Sequence, residues 1–427
     1  MKNLFLLFIL YLSTILANAQ TKLVKADAYL NVRTGQIVKP ANLIIKDGLI
    51  KSINPKSIPD NIEIIDLSGK ILLPGLMDMH VHLHWDEDYP TATLFKESTS
   101  EAAFRGARNA KKNLMAGFTT IRTVGQDHPS IELLDVEIDK AIKKGFIDGP
   151  DIIPAGHAIS ISGGHYDLSM FDTFSAGVLE FGIEHGIADG EDEVIKAVRY
   201  QIKHGAKVIK IAATAGVMSL GGSVGALQFP EKEIIAIVEE AARHNVKVAA
   251  HAHGLEGIIV ATRAGVASIE HGSILNDEAI ELMKKQGTYL VPTAYLNEPT
   301  DLSHLPEAMR KKAEEIMPKA RASHSEAIRK GVKIAFGTDV GAPKVIAHGE
   351  NAKEFKTLVN LGMSNINAIK TATINAADLL SMTDRGLLEV GMRADIVAVD
   401  GNPLDDIKAL ERVKFVMKGG EVYKNEK

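Results

Sequence analysis

Two histidines stand two residues apart in Met79-His80-Val81-His82. On a strand, residues i and i+2 face one side, so both imidazoles can reach one metal ion. His251 and His253 repeat that spacing, and Glu270-His271-Gly272 and Gly337-Thr338-Asp339 close two further apolar runs. Any one of these histidines reads equally well as a hydrogen-bonded structural residue. Ligands offered by several strand ends at one mouth read instead as a metal centre. Lys210 lies inside the apolar run Val208-Ile209-Lys210-Ile211. A charged lysine is costly to bury there, and burial favours the neutral amine. Two readings follow. The lysine pairs with a neighbouring carboxylate, or its neutral amine takes up CO2 and becomes an anionic carbamate able to bridge two metals.

These side chains need strands to present them. Apolar runs occur at 72–80, 119–124, 151–155, 208–212, 247–251, 267–270, 289–292 and 333–336, with helical patterns between them. The stretches 191–204 and 231–244 carry apolar residues at i, i+3, i+4 spacing. Strands and helices alternating eight times predict an α/β fold, a (β/α)8 TIM-type barrel whose site lies at the C-terminal ends of the strands. A doubly wound sheet is the alternative, but no G-x-G-x-x-G follows the first strand. The two chain ends have a different texture. Residues 43–50 read as a hairpin turning at Asp47-Gly48, with further short strands at 62–66 and 70–73. Strands at 395–400, 414–418 and 421–423, with a Gly419-Gly420 turn, close the chain. Both ends are therefore expected to build one small β-sandwich domain. The expected divisions are a signal peptide over 1–19, sandwich over 20–73, barrel over 74–383 and sandwich again over 384–427. The polar helical stretch 298–319 is expected as an excursion or a long helix on the outside. Gly- and Ser-containing segments 160–186 and 218–229 are expected as lids.

The composition narrows the chemistry. The 427 residues contain no cysteine and 15 histidines. Disulfides, thiolate catalysis and Cys-held metals are excluded. The formal net charge of −5, with 5% aromatic residues, disfavours a nucleic-acid partner. At the N-terminus, Met1-Lys2-Asn3 precedes an apolar run over 4–16 and Ala17-Asn18-Ala19. That pattern reads as a secretory signal peptide cleaved to leave Gln20, giving a periplasmic or secreted protein. The run is short for a stable membrane span.

The motifs resemble a known family. Leu73-Pro74-Gly75-Leu76-Met77-Asp78-Met79-His80-Val81-His82 is similar to the first-strand motif of the amidohydrolase superfamily. VIKIAATAGVMS (208–219), VAAHAHG (248–254), SIEHG (268–272) and FGTD (336–339) resemble its branch of Xaa-Pro dipeptidases and related carboxypeptidases. The resemblance spans nearly all of the chain after residue 19. It implies two divalent metal ions, zinc by default. His80, His82 and Asp339 would hold one ion, and His251 and His271 the other. Lys210, carrying a CO2-derived carbamate, would bridge them. A mononuclear site with unmodified Lys210, as in imidazolone-hydrolysing relatives, is the fallback.

With that ligand set, the charges of two ions outweigh those of carbamate, Asp339 and a bridging hydroxide, which suits a developing oxyanion. Asp339 would orient the attacking hydroxide, accept its proton and pass it to the leaving amine. His157 and His253 are candidates for contacting the substrate. His165, in Gly163-Gly164-His165, resembles a loop motif of the dipeptidase branch, and Trp85 is a candidate pocket wall. Arg122-Thr123 departs from the Arg-Asp of relatives, which bears on hydrogen bonding behind the metals. The expected substrate is a small peptide or N-acyl amino acid, cleaved at an amide next to a free carboxylate. Hydrolysis of a cyclic amide, lactone or toxin-type amide is the alternative within enzymes, and a non-catalytic barrel scaffold the alternative outside them. A homo-oligomer is compatible with a barrel of this size.

Overall fold

The computed structural model describes residues 21–86, 95–126, 128–171, 179–219, 222–342 and 344–426. The proposed signal peptide and Gln20 lie outside the described residues, as do parts of both proposed lids.

The chain opens with β1 (Lys22–Asn31), β2 (Gln36–Val38), β3 (Ala41–Lys46), β4 (Leu49–Ile53) and β5 (Glu63–Pro74). The turn between β3 and β4 falls at Asp47-Gly48, both with positive φ, as the sequence pattern requires. The two short strands expected at 62–66 and 70–73 form the single strand β5. Then come β6 (Leu76–Val81), α1 (Thr99–Met115), β7 (Phe118–Thr123), α2 (Leu134–Lys143), β8 (Asp151–Ile153) and α3 (Glu191–His204). They are followed by β9 (Val208–Ala212), α4 (Glu231–Arg243), β10 (Lys247–Ala252), α5 (Leu255–Ala264), β11 (Ser268–His271), α6 (Asp277–Gln286) and β12 (Tyr289–Val291). Helices α7 (Glu307–Lys330), α8 (Lys353–Asn360), α9 (Asn365–Thr371) and α10 (Ile374–Leu379) lead to β13 (Ile396–Asp400), β14 (Phe415–Lys418) and β15 (Glu421–Asn425).

Three sheets result. Strands β6, β7 and β8 form one parallel sheet, and β9 to β12 form another. These strands are buried nearly throughout, polar residues such as Asp78, Arg122, Lys210 and Glu270 included. A closed eight-stranded ladder is not formed among the described residues. The two parallel sheets are instead linked by single bridges, Ile159 to Ile211, Leu290 to Ile334 and Val81 to Val340. Two local causes are visible. Pro154 follows β8 and has no N–H to extend it; its carbonyl accepts from Lys207 and Val208. In the eighth segment, the Thr338 amide donates to the side chain of Asp78, which replaces a ladder bond. Packing holds that segment where ladders do not. The Phe336 ring lies 5.5 Å from Phe118 and 4.4 Å from Phe355. Each such pair adds about 0.5–1.5 kcal/mol beyond its buried area.

The chain ends meet in the third sheet, ordered β15-β14-β13-β5-β1-β3-β4, with β2 on β1. The ladders join these strands in one hydrogen-bonded sheet of eight. The reason is β5, which pairs with β1 on one side and β13 on the other. Val24, Leu43, Ile45, Leu67 and Phe415 form its apolar layer. Among the described residues, no helix is long and apolar enough to cross a membrane.

Candidate metal centre

Strand β6 delivers His80, and the residue after it is His82. Both rings are oriented from behind. His80 Nδ1 lies 2.9 Å from Glu270 Oε2, with both side chains fully buried. His82 Nδ1 lies 2.9 Å from the Gly125 carbonyl oxygen. When Nδ1 carries the proton, Nε2 is left with its lone pair facing the site. Burial, aided by Lys210, His82 and Arg122, holds the His80 imidazole well below its ordinary range, so the ring is neutral.

Asp339 faces the same point. Its Oδ1 lies 3.4 Å from His82 Nε2 and 3.6 Å from His80 Nε2. Its side chain keeps 22% of its surface exposed, whereas His80 keeps none. Asp78 fixes this juxtaposition. The carboxyl of Asp78 accepts from the His80 amide, the Thr338 amide and hydroxyl, and Asn351 Nδ2. Burial pushes Asp78 up to about 6 in spite of those bonds. Gly337 permits the close approach, since a Cβ there would come within 2.2 Å of Val291 and 3.0 Å of His80.

The second cluster comes from β10 and β11. One nitrogen from each of His251, His253 and His271 lies within 4.8 Å of the others, and the same holds for the ligand atoms of His80, His82 and Asp339. Burial is the chief reason that His251 and His271 sit well below the ordinary histidine range and His253 drops to about 3. His271 Nδ1 meets Thr293 Oγ1 at 2.8 Å, and His253 Nδ1 meets Ser273 Oγ at 2.7 Å. Three residues around the site have a strained backbone. His271, Thr293 and Asp339 all have positive φ, at 69°, 45° and 61°. Lys210 is fully buried on β9, opposite Ala249 of β10, with its Nζ 5.9 Å from the ring of Tyr166, which in turn lies edge-on to His251.

The donor set fits divalent metal ions. Both ring nitrogens of His251 are buried without a hydrogen-bond partner, a costly state for an imidazole that metal coordination would relieve. His80 Nε2 is buried without one as well. Neutral imidazoles with a carboxylate are a suitable set for zinc or similar ions.

The other sequence candidates take distinct places. His253 joins the second cluster directly. His165 stacks on His251 with ring centroids 4.2 Å apart and meets Ser219 Oγ through Nδ1 at 2.8 Å. Gly216 makes room for that ring, because a Cβ there would lie 2.5 Å from it. Trp85 and His165 both line the cavity above the clusters, which measures about 230 Å³. His157 does not reach that lining. It faces a separate small cavity, with Nε2 at 2.8 Å from the Ser130 carbonyl oxygen and 3.0 Å from Gln126 Nε2.

Two features were not foreseen. From the sequence Glu270 is only a strand end, yet it links His80 to Arg122, whose Nη2 donates to Glu270 Oε1 at 2.7 Å. The side-chain alternation of β11 offered a signal, since Glu270 and His271 must point to opposite faces. The stretch 298–319 does run into a long helix, α7, but it is not purely an outer element. Its Leu302, Leu305, Ala313, Ile316 and Met317 line the cavity. The departure at Thr123 has a structural role here, as its hydroxyl donates to Asp135 Oδ2 at 2.6 Å.

Histidines at strand ends, with Asp339 facing two of them, make up a candidate metal site. The chain belongs to the amidohydrolase family, whose sequence profile matches residues 71–423. Ochratoxinase from Aspergillus niger is 36% identical over 421 aligned residues, covering 91% of this chain and 84% of that protein. The solved structure of a Xaa-Pro dipeptidase with bound methionine superposes with a TM-score of 0.88 at 37% identity, covering 95% of this chain and all of that one (100%). A prolidase complexed with N-methylphosphonate-L-proline superposes with a TM-score of 0.85 at 30% identity, over 95% of this chain and 100% of that one.

Proposed function

We propose that this protein is an exported, binuclear-metal amidohydrolase that cleaves an amide next to a free carboxylate, in dipeptides such as Xaa-Pro or in N-acyl amino acids. One observation carries the reading: the His80–His82–Asp339 group and the His251–His253–His271 group share one cavity. His80, His82 and Asp339 would hold one ion. His251 and His271 would hold the second, with Lys210 as carbamate between them. Bound divalent ions supply Lewis acidity and make water acidic enough to ionise near neutral pH.

The chain's own residues do the rest. Asp339, more exposed than the buried histidines around it, accepts the proton of the attacking water at its carboxylate. It then delivers that proton to the departing amine nitrogen. His253, within the second cluster, and His165, stacked on His251, are placed to touch the substrate's polar groups. The apolar upper walls exclude bulk water, which strengthens each electrostatic contact on the floor. The prolidase and dipeptidase neighbours and ochratoxinase support an amide substrate. The N-terminal pattern of charge, apolar run and Ala-x-Ala supports export.

The test is a screen of dipeptides and N-acyl amino acids with the metal-loaded enzyme. Release of a C-terminal amino acid is expected. Turnover confined to lactones or cyclic amides would reject the proposed substrate. N-terminal sequencing of exported protein is expected to begin at Gln20, and an intact Met1 would reject cleavage at that site.

A further inference from the structure

The cavity has two unlike halves. Its floor is histidine and aspartate, and the rest of its lining, the upper wall, is mainly aliphatic, with Trp85, Tyr166 and Asn297 among it. Much of that wall belongs to α7, a helix that is polar over most of its surface. Its apolar residues recur at helical spacing, so Met309, Ala313, Ile316 and Ala320 form one buried stripe. Ala313, Ile316 and Met317 face the cavity, where Val217 and Met218 also line it. A polar bond fastens these two parts together: Lys312 Nζ donates to the Ser219 carbonyl oxygen at 2.7 Å. The wall is therefore a braced surface. Among the described residues, no lysine or arginine lines the cavity. A substrate group lying against Ala313, Ile316 and Met317 meets hydrocarbon and thioether, with Asn297 and Tyr166 as polar side chains elsewhere in the wall, so a charge there would be poorly compensated.

We propose that Ala313, Ile316 and Met317 of α7 determine specificity. They select substrates that carry a leucine- to phenylalanine-sized apolar group, and Ala313 leaves the space that admits it. This rests on the amide-hydrolase reading above and extends it to the substrate's side chain. A hydrophobic pocket discriminates one methylene by about tenfold or more, so a group several carbons larger than methyl has a measurable advantage.

The experiment compares wild type, Ala313→Leu and Ile316→Ala in two ways. The first is kcat/KM over matched series in which glycine, alanine, leucine or phenylalanine occupies either side of the scissile amide. The second is binding, without turnover, of phosphonate analogues carrying methyl, isobutyl or benzyl groups. In wild type, leucine- and phenylalanine-sized groups are expected to exceed the smallest by at least about tenfold in one series. Ala313→Leu fills the space and is expected to cut that ratio about tenfold, mainly through KM. Ile316→Ala enlarges it and is expected to move the preference toward the larger group. Two variants with opposite predicted shifts guard against a fold defect, and thermal midpoint and metal content are measured on each. A flat wild-type profile, or ratios unchanged in both folded variants, overturns the proposal. Selective phosphonate binding without any amide cleavage would reject the hydrolase reading while supporting the apolar wall.

Discussion

Glu270 Oε2 lies 2.9 Å from His80 Nδ1, inside the protein and away from the cavity. The other oxygen of Glu270 accepts from Arg122, whose Nε also donates to the Met79 carbonyl at 2.6 Å. A guanidinium, a carboxylate and an imidazole thus run in series behind the candidate metal centre. Carboxylate–histidine pairs of this kind fix the ring and raise the basicity of its ligating nitrogen.

Substitution of Glu270 therefore acts through His80. Glu270→Gln is expected to weaken metal affinity about 10–100-fold, as loss of an outer partner does. Glu270→Ala is expected to destabilise the fold by about 3–5 kcal/mol, because Arg122 is left buried and uncompensated. Metal titration and denaturant unfolding check the two effects. Unchanged metal affinity in Glu270→Gln would reject the orienting role.

Asp339→Asn keeps the shape of the side chain and removes its basicity. Turnover is expected to fall by about 100-fold or more, as for loss of a general base. Far-ultraviolet circular dichroism is expected to match wild type. Retained activity would remove Asp339 from the proton-transfer role.

Lys210→Ala tests the bridge. The variant is expected to lose one metal ion per chain, with partial rescue of activity by short carboxylic acids that replace the carbamate. Metal analysis of the purified variant is the check. Unchanged stoichiometry would leave Lys210 a structural lysine.

Glu354 gives a pH signature. Its buried carboxyl accepts from the amides of Ala294 and Tyr295, next to Thr293 and so one step from His271. Burial pushes it up to about 8. The sign follows from linkage. Between the ordinary value of 4.5 and about 8, the folded state holds a proton that the unfolded state has lost. This contribution is largest below pH 4.5, shrinks as pH rises and is gone above pH 8. The thermal midpoint of Glu354→Gln is expected to fall less than that of wild type between pH 5 and 8. Parallel curves would reject the assignment.

Much of the site was legible because strands translate spacing into direction. His80-Val81-His82 needs only the two-residue repeat of a strand to be read as paired ligands, whereas His253, expected to contact the substrate, joins His251 and His271 in one group. Strand β9 and helix α3 fall at the expected residues for the same reason, since their apolar periods are unbroken. What stayed hidden depends on partners distant in the chain. Glu270 meets Arg122 across 148 positions, and no local pattern encodes that meeting. The wall built by α7 was missed because its apolar residues are few and widely spaced in a polar stretch. The eighth segment was read as a strand from its apolar run, but Asp78 takes the hydrogen bond that a ladder would have used.

The central claim is that two ions sit in this one cavity, and metal content per chain on the purified protein tests it most directly. Elemental analysis, made alongside the peptide hydrolysis screen, is expected to give about two ions per chain, falling to about one in Lys210→Ala, as the bridging role implies. One ion per chain in wild type, unchanged in Lys210→Ala, would contradict the binuclear site and the bridge together.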